Sequence, residues 1–371
     1  MRDAVRAFAE NEIAPGVAER EKKSEFPHAI IQKLAEMGIL GMMVPEQYGG
    51  AGADCLSYIL AIEELSRVCA STAVIVSVNN SVFCYPVWKF GTEEQKKTIL
   101  AEVASGRALG AYALTESQSG SDAANQKTRA VRDGDHYVLD GTKVWITNAG
   151  EAKWYLVMAM TDPGAGTHGI SGFLVSADDP GVRPGTPEDK MGLRASKTAE
   201  LFLEKVRVPA SRRLGAEGQG FTIAMTTLDH SRIGIAAQGV GIARACYEAA
   251  VEYAKTRESF GKKIVEHEAV AFQIADMNVQ LEAARLLTYR AARRSEMPGV
   301  RFSKESSMAK VFATETANSI AARAVQIFGG YGYSKEYPVE RFYRDARVTT
   351  IYEGTSEIQR IVISKNLLAG R

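Results

Sequence analysis

Residues 137–146, YVLDGTKVWI, mark the centre of the chain as strand-rich between helical flanks. Their apolar residues are β-branched or aromatic, and Asp140-Gly141 is a dipeptide that favours a type I′ hairpin turn. The segment therefore predicts two strands joined at Asp140-Gly141. Further short stretches rich in β-branched and aromatic residues predict strands at 154–161, 170–176 and 200–208. We predict a compact β domain over residues 106–215.

Outside this centre the apolar residues repeat with the period of a helix. Gly38 can end the first such helix, and small residues recur in several of the later stripes. The pattern predicts an N-terminal helical domain over residues 1–105 and a C-terminal bundle of long antiparallel helices over 216–371. The stripes that carry this prediction are Ile30, Leu34 and Met37; Tyr58, Ile62 and Leu65; Ile242, Cys246, Ala249 and Tyr253; and Met277, Leu281, Ala284 and Thr288.

The composition excludes several classes of protein. The chain has 371 residues, of which 46% are hydrophobic and 24% charged, as in ordinary globular proteins and unlike disordered or collagen-like chains. The net charge of +1 gives no electrostatic signature of nucleic-acid binding. No apolar run approaches the roughly 20 residues of a membrane span. Residues 1–4, MRDA, include an acidic residue and are not followed by an apolar signal segment, so we expect a cytoplasmic protein.

The cysteines and histidines give no sign of a disulfide framework or a metal site. Four cysteines lack any CxxC pair, which predicts reduced and mostly buried thiols. Five histidines show no HxxxH spacing and no grouping with cysteine. We therefore predict no protein-built metal site.

Residues 164–169, GAGTHG, match the GxGxxG pattern of dinucleotide-binding proteins. That pattern has meaning only where it ends a strand and opens a helix. The residues that follow, ISGFLV, read as a strand. We therefore interpret the segment as a loop between strands and reject a conventional NAD-binding fold.

Three other segments concentrate polar and aromatic residues: 112–122, 145–147 and 351–359. By residue type alone the first is compatible with a solvated turn, and Trp145 with a core tryptophan on a strand. Ser356 and Gln359 have the S-x-x-Q spacing of a capping box, which predicts a helix starting at Ser356 and places Glu353 in the turn before it. A carboxylate there could simply favour the helix dipole.

Taken together, these segments resemble the acyl-CoA dehydrogenase family, closest to its bacterial short-chain (butyryl-CoA) members. Four motifs occur in order over the whole chain, with Trp145-Ile-Thr147 between them. They are TESQSGSD at 115–122, RESFG at 257–261, QIFGGYGYSKEYPVER at 326–341 followed by Arg344-Asp345-Ala, and IYEGT at 351–355.

The resemblance implies a fold, mainly α with a central β barrel or sandwich: an N-terminal helical domain, a middle β domain and a C-terminal four-helix bundle. It implies Glu353 as the catalytic base and FAD as the cofactor, with the adenosine end reaching a neighbouring subunit of a homotetramer. The residues implied to contact FAD are Tyr112, Leu114, Thr115, Ser121, Trp145, Thr147, Arg257, Ser259, Phe260, His267, Gln326, Gly329, Gly330, Thr355 and Glu357. Those implied to contact the acyl-CoA are Ser121, Asp229, Arg232, Tyr352 and Gly354.

Departures from the family pattern occur at Ser117, Asn125 and Glu268, and the last puts the neighbouring His267 contact in doubt. Ser231 stands where some members carry their base as glutamate, so Glu353 has no rival. Ala73 stands where glutaryl-CoA enzymes carry an arginine, so a dicarboxylic substrate would lack its counter-charge.

The implied reaction is FAD-dependent α,β-dehydrogenation of a short-chain acyl-CoA to the trans-2-enoyl-CoA. Glu353 would remove the α-proton, and flavin N5 would accept the β-hydride. The electrons would then pass to electron-transfer flavoprotein. The alternatives are a dehydrogenase for branched isobutyryl- or 2-methylbutyryl-CoA, an acyl-CoA oxidase that uses O₂, and a non-catalytic helical assembly protein on the same fold. The segment Ser77-Val-Asn-Asn-Ser81 resembles the short-chain pattern near the pocket floor.

Overall fold

The computed structural model describes residues 1–369, and its elements follow the predicted order of helices, sheet and helices. The first part is helical, and wider π-helical turns interrupt it at Ala9–Ile13, Asn79–Cys84 and Lys96–Leu100. Its helices are α1 (Arg2–Phe8), α2 (Val17–Lys23), α3 (His28–Glu36), α4 (Cys55–Val68), α5 (Ala70–Val78), α6 (Tyr85–Phe90), α7 (Glu93–Gln95) and α8 (Ala101–Ala104).

The predicted stripes of these helices lie in the core, with one exception. Tyr58, Ile62 and Leu65 on α4 are fully buried, which confirms that stripe. On α3 the buried stripe ends with Leu34. Met37 is 39% exposed because it lies past the last helical residue, where Gly38 turns the backbone to φ 73°.

The middle part forms one eight-stranded mixed sheet in the order β6-β7-β3-β2-β4-β5-β8, with β1 paired in parallel to β4. The neighbouring β4 and β5 are buried along their whole length because both of their faces are covered. Tyr155 and Val157 face the interior of the β domain, and Leu156 and Met158 face the helices. The strands are β1 (Gly110–Ala113), β2 (Arg129–Asp133), β3 (His136–Thr147), β4 (Trp154–Met160), β5 (Ile170–Ser176), β6 (Val182–Pro184), β7 (Thr198–Pro209) and β8 (Arg213–Leu214).

The predicted hairpin at Asp140-Gly141 is wrong, because β3 runs through this dipeptide as one strand. Asp140 pairs with Arg129 of β2 and Gly141 with Leu203 of β7, and the register of the β3–β7 pairing shifts between Leu139 and Gly141. Because β3 pairs with a strand on each side, the backbone N–H and C=O groups around this dipeptide have partners in the sheet, and no hairpin forms. The glycine instead permits a close approach, because a Cβ there would lie 2.5 Å from Thr128 Oγ1. The actual turn is at Gly134, between β2 and β3.

The segment with the GxGxxG pattern is a 3₁₀ turn, Pro163–Gly169, that leads directly into β5. No helix follows it. The rejection of a dinucleotide-binding motif is confirmed, since the pattern connects two antiparallel strands.

The last part is again helical. A short two-stranded ribbon, β9 (Glu258–Ser259) with β10 (Lys262–Lys263), separates the first two of its helices. The stripe Met277, Leu281, Ala284 and Thr288 is buried as predicted. The helices are α9 (Gly220–Thr256), α10 (Glu268–Ser295), α11 (Ser303–Phe328), α12 (Val339–Thr349) and α13 (Ser356–Leu368).

One hydrophobic core joins the two helical parts, since Ile59 and Ile62 of α4 belong to the same buried cluster as Ile233 and Val240 of α9. All four cysteines are unpaired and buried, as predicted. Residues 1–369 include no helix long and apolar enough to span a bilayer. Within the same residues no three acidic, histidine or cysteine side chains are grouped as metal ligands.

We predict that Gly141→Ala destabilises the β domain by about 1–3 kcal/mol, because the added methyl group collides with Thr128. Thermal unfolding measures the effect as a lower midpoint. Gly120→Ala is the matched control, since no atom lies within 4 Å of a Cβ at that position. Equal midpoints for the two variants would contradict the close approach at Gly141.

Candidate active site

The turn between α12 and α13 carries Glu353 in a conformation that few residues adopt. Glu353 has φ 52° and Gly354 has φ 94°, so two consecutive residues lie in the left-handed region. For a glutamate this conformation costs on the order of 1–2 kcal/mol and persists only where contacts impose it. The turn therefore needs specific partners.

Two side chains hold this turn through the same carbonyl. The Lys310 Nζ donates to Gly354 O at 2.7 Å, and the Gln359 Nε2 donates to the same oxygen at 2.8 Å. Gln359 also donates to Glu353 O at 3.3 Å. A Cβ on Gly354 would lie 2.6 Å from Gln359 Nε2, so this packing requires glycine.

The predicted capping box is wrong in its details, although α13 does begin at Ser356. The N-cap residue is Thr355, whose Oγ1 accepts from Ile358 N at 3.4 Å. Gln359 uses its amide to donate to carbonyls of the preceding turn instead of accepting from the N-cap N–H. The sequence predicts the start of the helix correctly, but the Gln359 side chain stabilises the turn that carries Glu353 and does not cap the helix.

The Glu353 carboxylate is set among buried polar and cationic groups. Its Oε2 is buried and has no hydrogen-bond partner within residues 1–369. Burial raises the pKa of this carboxyl, and the Ser231 hydroxyl and the positive charges of Lys310 and Arg232 offset part of the rise. A buried acceptor without a partner can receive a proton or a hydrogen bond from a bound molecule.

Beside Glu353, α9 supplies an ion pair. Arg232 is 4% exposed, and its Nη1 donates to Asp229 Oδ1 at 2.6 Å. The second Asp229 oxygen accepts from the Ser303 hydroxyl. These residues line a cavity of about 310 Å³, together with Met225, Arg301, Val362, Lys365 and Asn366. With three cationic side chains on its wall, the cavity suits a polyanionic ligand.

The β domain presents the predicted residues of its first and third strands side by side. Val144 N donates to Thr115 O at 2.9 Å, which joins the segment after β1 to β3. Trp145 has φ 60° and is 61% exposed, so it is not a core tryptophan. Leu114 is buried, and the Tyr112 hydroxyl is buried without a partner in residues 1–369.

A buried ion pair anchors the segment that follows Thr115. Lys143 on β3 is fully buried, and its Nζ donates to Glu116 Oε1 at 2.7 Å. Glu116 also accepts from the N–H groups of Lys127 and Thr128. Burial alone would raise the pKa of Glu116, but the Lys143 charge and these hydrogen bonds lower it to about 2. The pair fixes residues 115–128 against β3 beside Trp145.

The predicted FAD residues between positions 257 and 267 and between 326 and 330 form a second group, where α9 and α11 end. A cavity of about 560 Å³ is lined there by Tyr253, Arg257, Ser259, Ile264, Ile327, Phe328, Gly329, Gly330, Tyr331, Ser334 and Glu336. Phe260 is 95% exposed, and His267 Nε2 lies 3.1 Å from Ser259 O. Gln326 lies exposed in the last turn of α11.

Three family models together match nearly the whole chain. The N-terminal, middle and C-terminal domain models of acyl-CoA dehydrogenase match residues 1–107, 111–206 and 218–368. The chain belongs to the acyl-CoA dehydrogenase family. As a member, it is a flavin-dependent oxidoreductase with the helix–sheet–helix fold of that family.

Relatives of this acyl-CoA dehydrogenase match it end to end. The mitochondrial short-chain specific acyl-CoA dehydrogenase of Bos taurus is 51% identical over 99% of this chain and 89% of its own. The structure of butyryl-CoA dehydrogenase from Megasphaera elsdenii superposes with a TM-score of 0.97 at 46% identity, covering 99% of this chain and 97% of that one. A chain from structural work on the electron transferring flavoprotein of Acidaminococcus fermentans gives a TM-score of 0.97 at 49% identity, covering 99% and 96%.

The residues of this acyl-CoA dehydrogenase fit the cofactor of its family in two places. Near Trp145, an exposed flat ring and the unpartnered Tyr112 hydroxyl suit a planar heterocycle with polar edges. In the cavity of about 560 Å³, the Arg257 guanidinium and the open backbone of Gly329 and Gly330 suit phosphate groups. The structure does not bring the two groups into one cavity of a single chain, because no residue of the β domain lines the second.

The other predicted site residues lie in varied surroundings. The Tyr352 hydroxyl donates to Gln238 Oε1 and is therefore already engaged. Ser121 and Glu357 are exposed, and Thr355 caps α13. The departures Ser117, Asn125 and Glu268 are all exposed.

Sequence reasoning missed Lys310, the Glu116–Lys143 pair, Arg301 and Lys365. For Lys310 a signal existed, since it repeats at helical spacing with the small residues Ser306, Ala313 and Ala317 of α11, all of them buried. A lysine on such a stripe is expected to be buried and to have a specific partner. The Glu116–Lys143 pair joins residues 27 positions apart and leaves no such local signal.

We predict that Glu116→Gln destabilises the enzyme by about 3–5 kcal/mol, because it leaves the Lys143 cation buried without its counter-charge. The wild-type contribution is lost as pH falls from about 4.5 toward the folded pKa of about 2. Urea unfolding measures the loss, and faster amide exchange at Lys127 and Thr128 locates it. The double variant Glu116→Gln/Lys143→Met should be more stable than Glu116→Gln. If it is not, the pair is not the anchor.

Proposed function

We propose that this enzyme dehydrogenates a short-chain acyl-CoA to the trans-2-enoyl-CoA, with Glu353 as the base and FAD as the hydride acceptor. The observation that carries the proposal is the buried Glu353 Oε2, which has no partner within residues 1–369. It lies in a turn whose Glu353 and Gly354 carbonyl oxygens already accept hydrogen bonds, so this carboxylate oxygen is left to meet a substrate.

Glu353 would remove the proton from Cα of the thioester. A carboxylate in water is too weak a base for this, and burial raises its proton affinity toward the operating range. Ser231, which lies beside Glu353, occupies the position where some family members carry a glutamate as their base. In this chain that position offers no carboxylate that could act in place of Glu353.

The acidity of Cα–H must rise for this transfer to occur. The Glu353 N–H is absent from the turn, loop and cap hydrogen bonds of residues 1–369 and is free to donate. A hydrogen bond from it to the thioester oxygen would stabilise the charge that develops when the proton leaves. The left-handed turn at Glu353 and Gly354 determines where this N–H points.

FAD, when bound, supplies at N5 the hydride-accepting chemistry that no side chain provides. Trp145, Tyr112, Leu114, Thr115 and Thr147 would hold its flat ring against the β domain. Arg257, Ser259, Phe260, Gln326, Gly329 and Gly330 would hold the diphosphate and adenosine. The two groups line separate surfaces of one chain. We therefore infer that each FAD is held by the first group of one subunit and by the second group of a neighbouring subunit, as in a homotetramer.

The CoA portion would enter along the cavity lined by Asp229, Arg232, Arg301 and Lys365. The Arg232–Asp229 pair keeps Arg232 in place, and Arg301 and Lys365 offer further positive charge for phosphates. The likeness to a chain from work on an electron transferring flavoprotein supports such a protein as the electron acceptor. An oxidase that uses O₂ is the alternative, and oxygen consumption without an added acceptor would identify it.

The pocket for the acyl chain is proposed to be short. Tyr58 is fully buried, and its hydroxyl lies 2.8 Å from Ser77 Oγ. Both contact α9 so closely that a Cβ on Gly234 would lie 2.5 Å from Tyr58 Oη. Within residues 77–81, Asn79 and Asn80 instead bond to the backbone of Leu40 and Ile39.

We predict that Glu353→Gln lowers turnover by about 10²–10⁴-fold or more while FAD content and thioester binding are retained, because only the proton acceptor is removed. Stopped-flow reduction of the flavin by butyryl-CoA measures the loss. Glu94→Gln, an exposed carboxylate on α7, is the control and should retain wild-type turnover. Loss of flavin with normal activity per bound flavin would refute the role of Glu353.

We predict that kcat/KM is highest for butyryl-CoA or an acyl group of similar length, and at least about tenfold lower for octanoyl-CoA, equivalent to about 1.4 kcal/mol. A pocket closed early excludes longer chains sterically, whereas each methylene that fits adds only roughly 1–3 kcal/mol. Turnover of a series of acyl-CoAs with a dye acceptor measures this, with isobutyryl- and 2-methylbutyryl-CoA included. A maximum at eight carbons or beyond would contradict the short pocket.

A further inference from the structure

Lys310 is a buried lysine whose role the proposed reaction does not explain. It is fully buried in α11, and its Nζ makes a 2.7 Å hydrogen bond to the neutral carbonyl of Gly354. Within residues 1–369 this nitrogen forms no ion pair with a carboxylate and donates no further hydrogen bond. Burying an ammonium group is costly unless charge or hydrogen bonds compensate. The fold therefore retains a cation where a neutral donor would satisfy the same carbonyl.

A neutral donor to that carbonyl is in fact already present. Gln359 Nε2 donates to Gly354 O at 2.8 Å, nearly the same distance as Lys310 Nζ. The two side chains share one acceptor and differ chiefly in charge. The hydrogen bond alone therefore does not account for Lys310.

The charge of Lys310 acts on Glu353. Burial lowers the pKa of Lys310 to about 7, and attraction by Glu353 is the largest influence that opposes this. Reciprocally, burial raises the pKa of Glu353, and among the cations that oppose this rise Lys310 acts more strongly than Arg232. Arg232 is already paired with Asp229 at 2.6 Å, whereas Lys310 has no such partner in the described chain.

We propose that Lys310 is a positioning residue for Glu353: its ammonium group fixes the left-handed turn through Gly354 O and supplies the positive charge that keeps the Glu353 carboxylate ionised before proton transfer. The inference rests on the proposed function, in which Glu353 is the base. Lys310 is not assigned any contact with substrate or cofactor.

The sign of the expected pH effect follows from the charges around Glu353. Removing the Lys310 charge raises the pKa of Glu353, so the carboxylate becomes protonated at higher pH and the acid limb of kcat/KM moves upward. Lys310 is protonated below about pH 7, so its charge acts on Glu353 wherever the limb lies below that pH. The other titratable or charged groups near Glu353 stay unchanged in the variant; they are Arg232 with Asp229 on α9, Tyr58 on α4, Tyr112 on β1 and Tyr352 in the turn.

The test compares Lys310→Met with Gln359→Met in the flavin-loaded enzyme. Both variants remove one donor to Gly354 O with little change of volume, but only the first removes a charge. We expect both to lower kcat, and only Lys310→Met to move the acid limb of kcat/KM up by about one pH unit. Infrared difference titration of the Glu353 carboxyl band, identified by its loss in Glu353→Gln, should show the same shift without turnover.

Acid limbs that coincide in wild type, Lys310→Met and Gln359→Met would overturn the proposal, as would an unshifted Glu353 carboxyl band. Should Lys310→Met fail to fold, Lys310→Gln retains a donor without the charge and should show the same upward shift. The failure of the proposed function looks different: wild type would not oxidise acyl-CoA, or Glu353→Gln would remain active. The infrared titration still tests Lys310 in that case.

Discussion

A carboxylate oxygen held out of water on a left-handed turn is the constraint on which this structure depends. Glu353 lies in a left-handed turn that an isolated peptide would avoid, and its Oε2 is buried without a partner in the described chain. The left-handed backbone and the buried oxygen without a partner each lower the stability of the folded state. They persist because α9, α11 and α13 each contribute a side chain that acts on this turn: Arg232, Lys310 and Gln359. The long helices thus serve as a rigid frame for a strained loop.

The β domain presents the flat ring of Trp145 at its surface. Trp145 is exposed on β3, and Lys143, two residues before it on the same strand, is fully buried. The Glu116–Lys143 pair contributes less to net stability than its short distance implies, because both charges were desolvated to form it. Its effect is to fix the position of residues 115–128 beside Trp145. In both parts of the molecule, buried charge serves positioning more than stability.

Sequence patterns predicted the order of elements, the helix stripes and the strands, because those depend on local periodicity. They failed where a distant contact decides the local geometry. Asp140-Gly141 carries a genuine turn signal, but pairing with β2 and β7 and the approach of Thr128 make it a bulge. Gln359 has the spacing of a capping box, yet it bonds to Glu353 O and Gly354 O because the left-handed turn brings them within reach.

The site residues could be named from motifs, but not their partners. Glu353 was predicted from its motif, whereas Lys310, 43 positions earlier, becomes relevant only when α11 packs under the turn. The resemblance to the family implies that the adenosine end of FAD reaches a neighbouring subunit, and the two groups of predicted FAD residues line two separate surfaces of one chain. Whether a subunit supplies its own contacts or a neighbour's is not encoded in any local pattern.

The most direct test of the central claim is exchange of the Cα hydrogen of butyryl-CoA with D₂O, followed by mass spectrometry under anaerobic conditions without an electron acceptor. If Glu353 removes the α-proton, the wild-type enzyme will incorporate deuterium at Cα and Glu353→Gln will not do so on the same time scale. Exchange by Glu353→Gln at the wild-type rate would show that another group removes the proton.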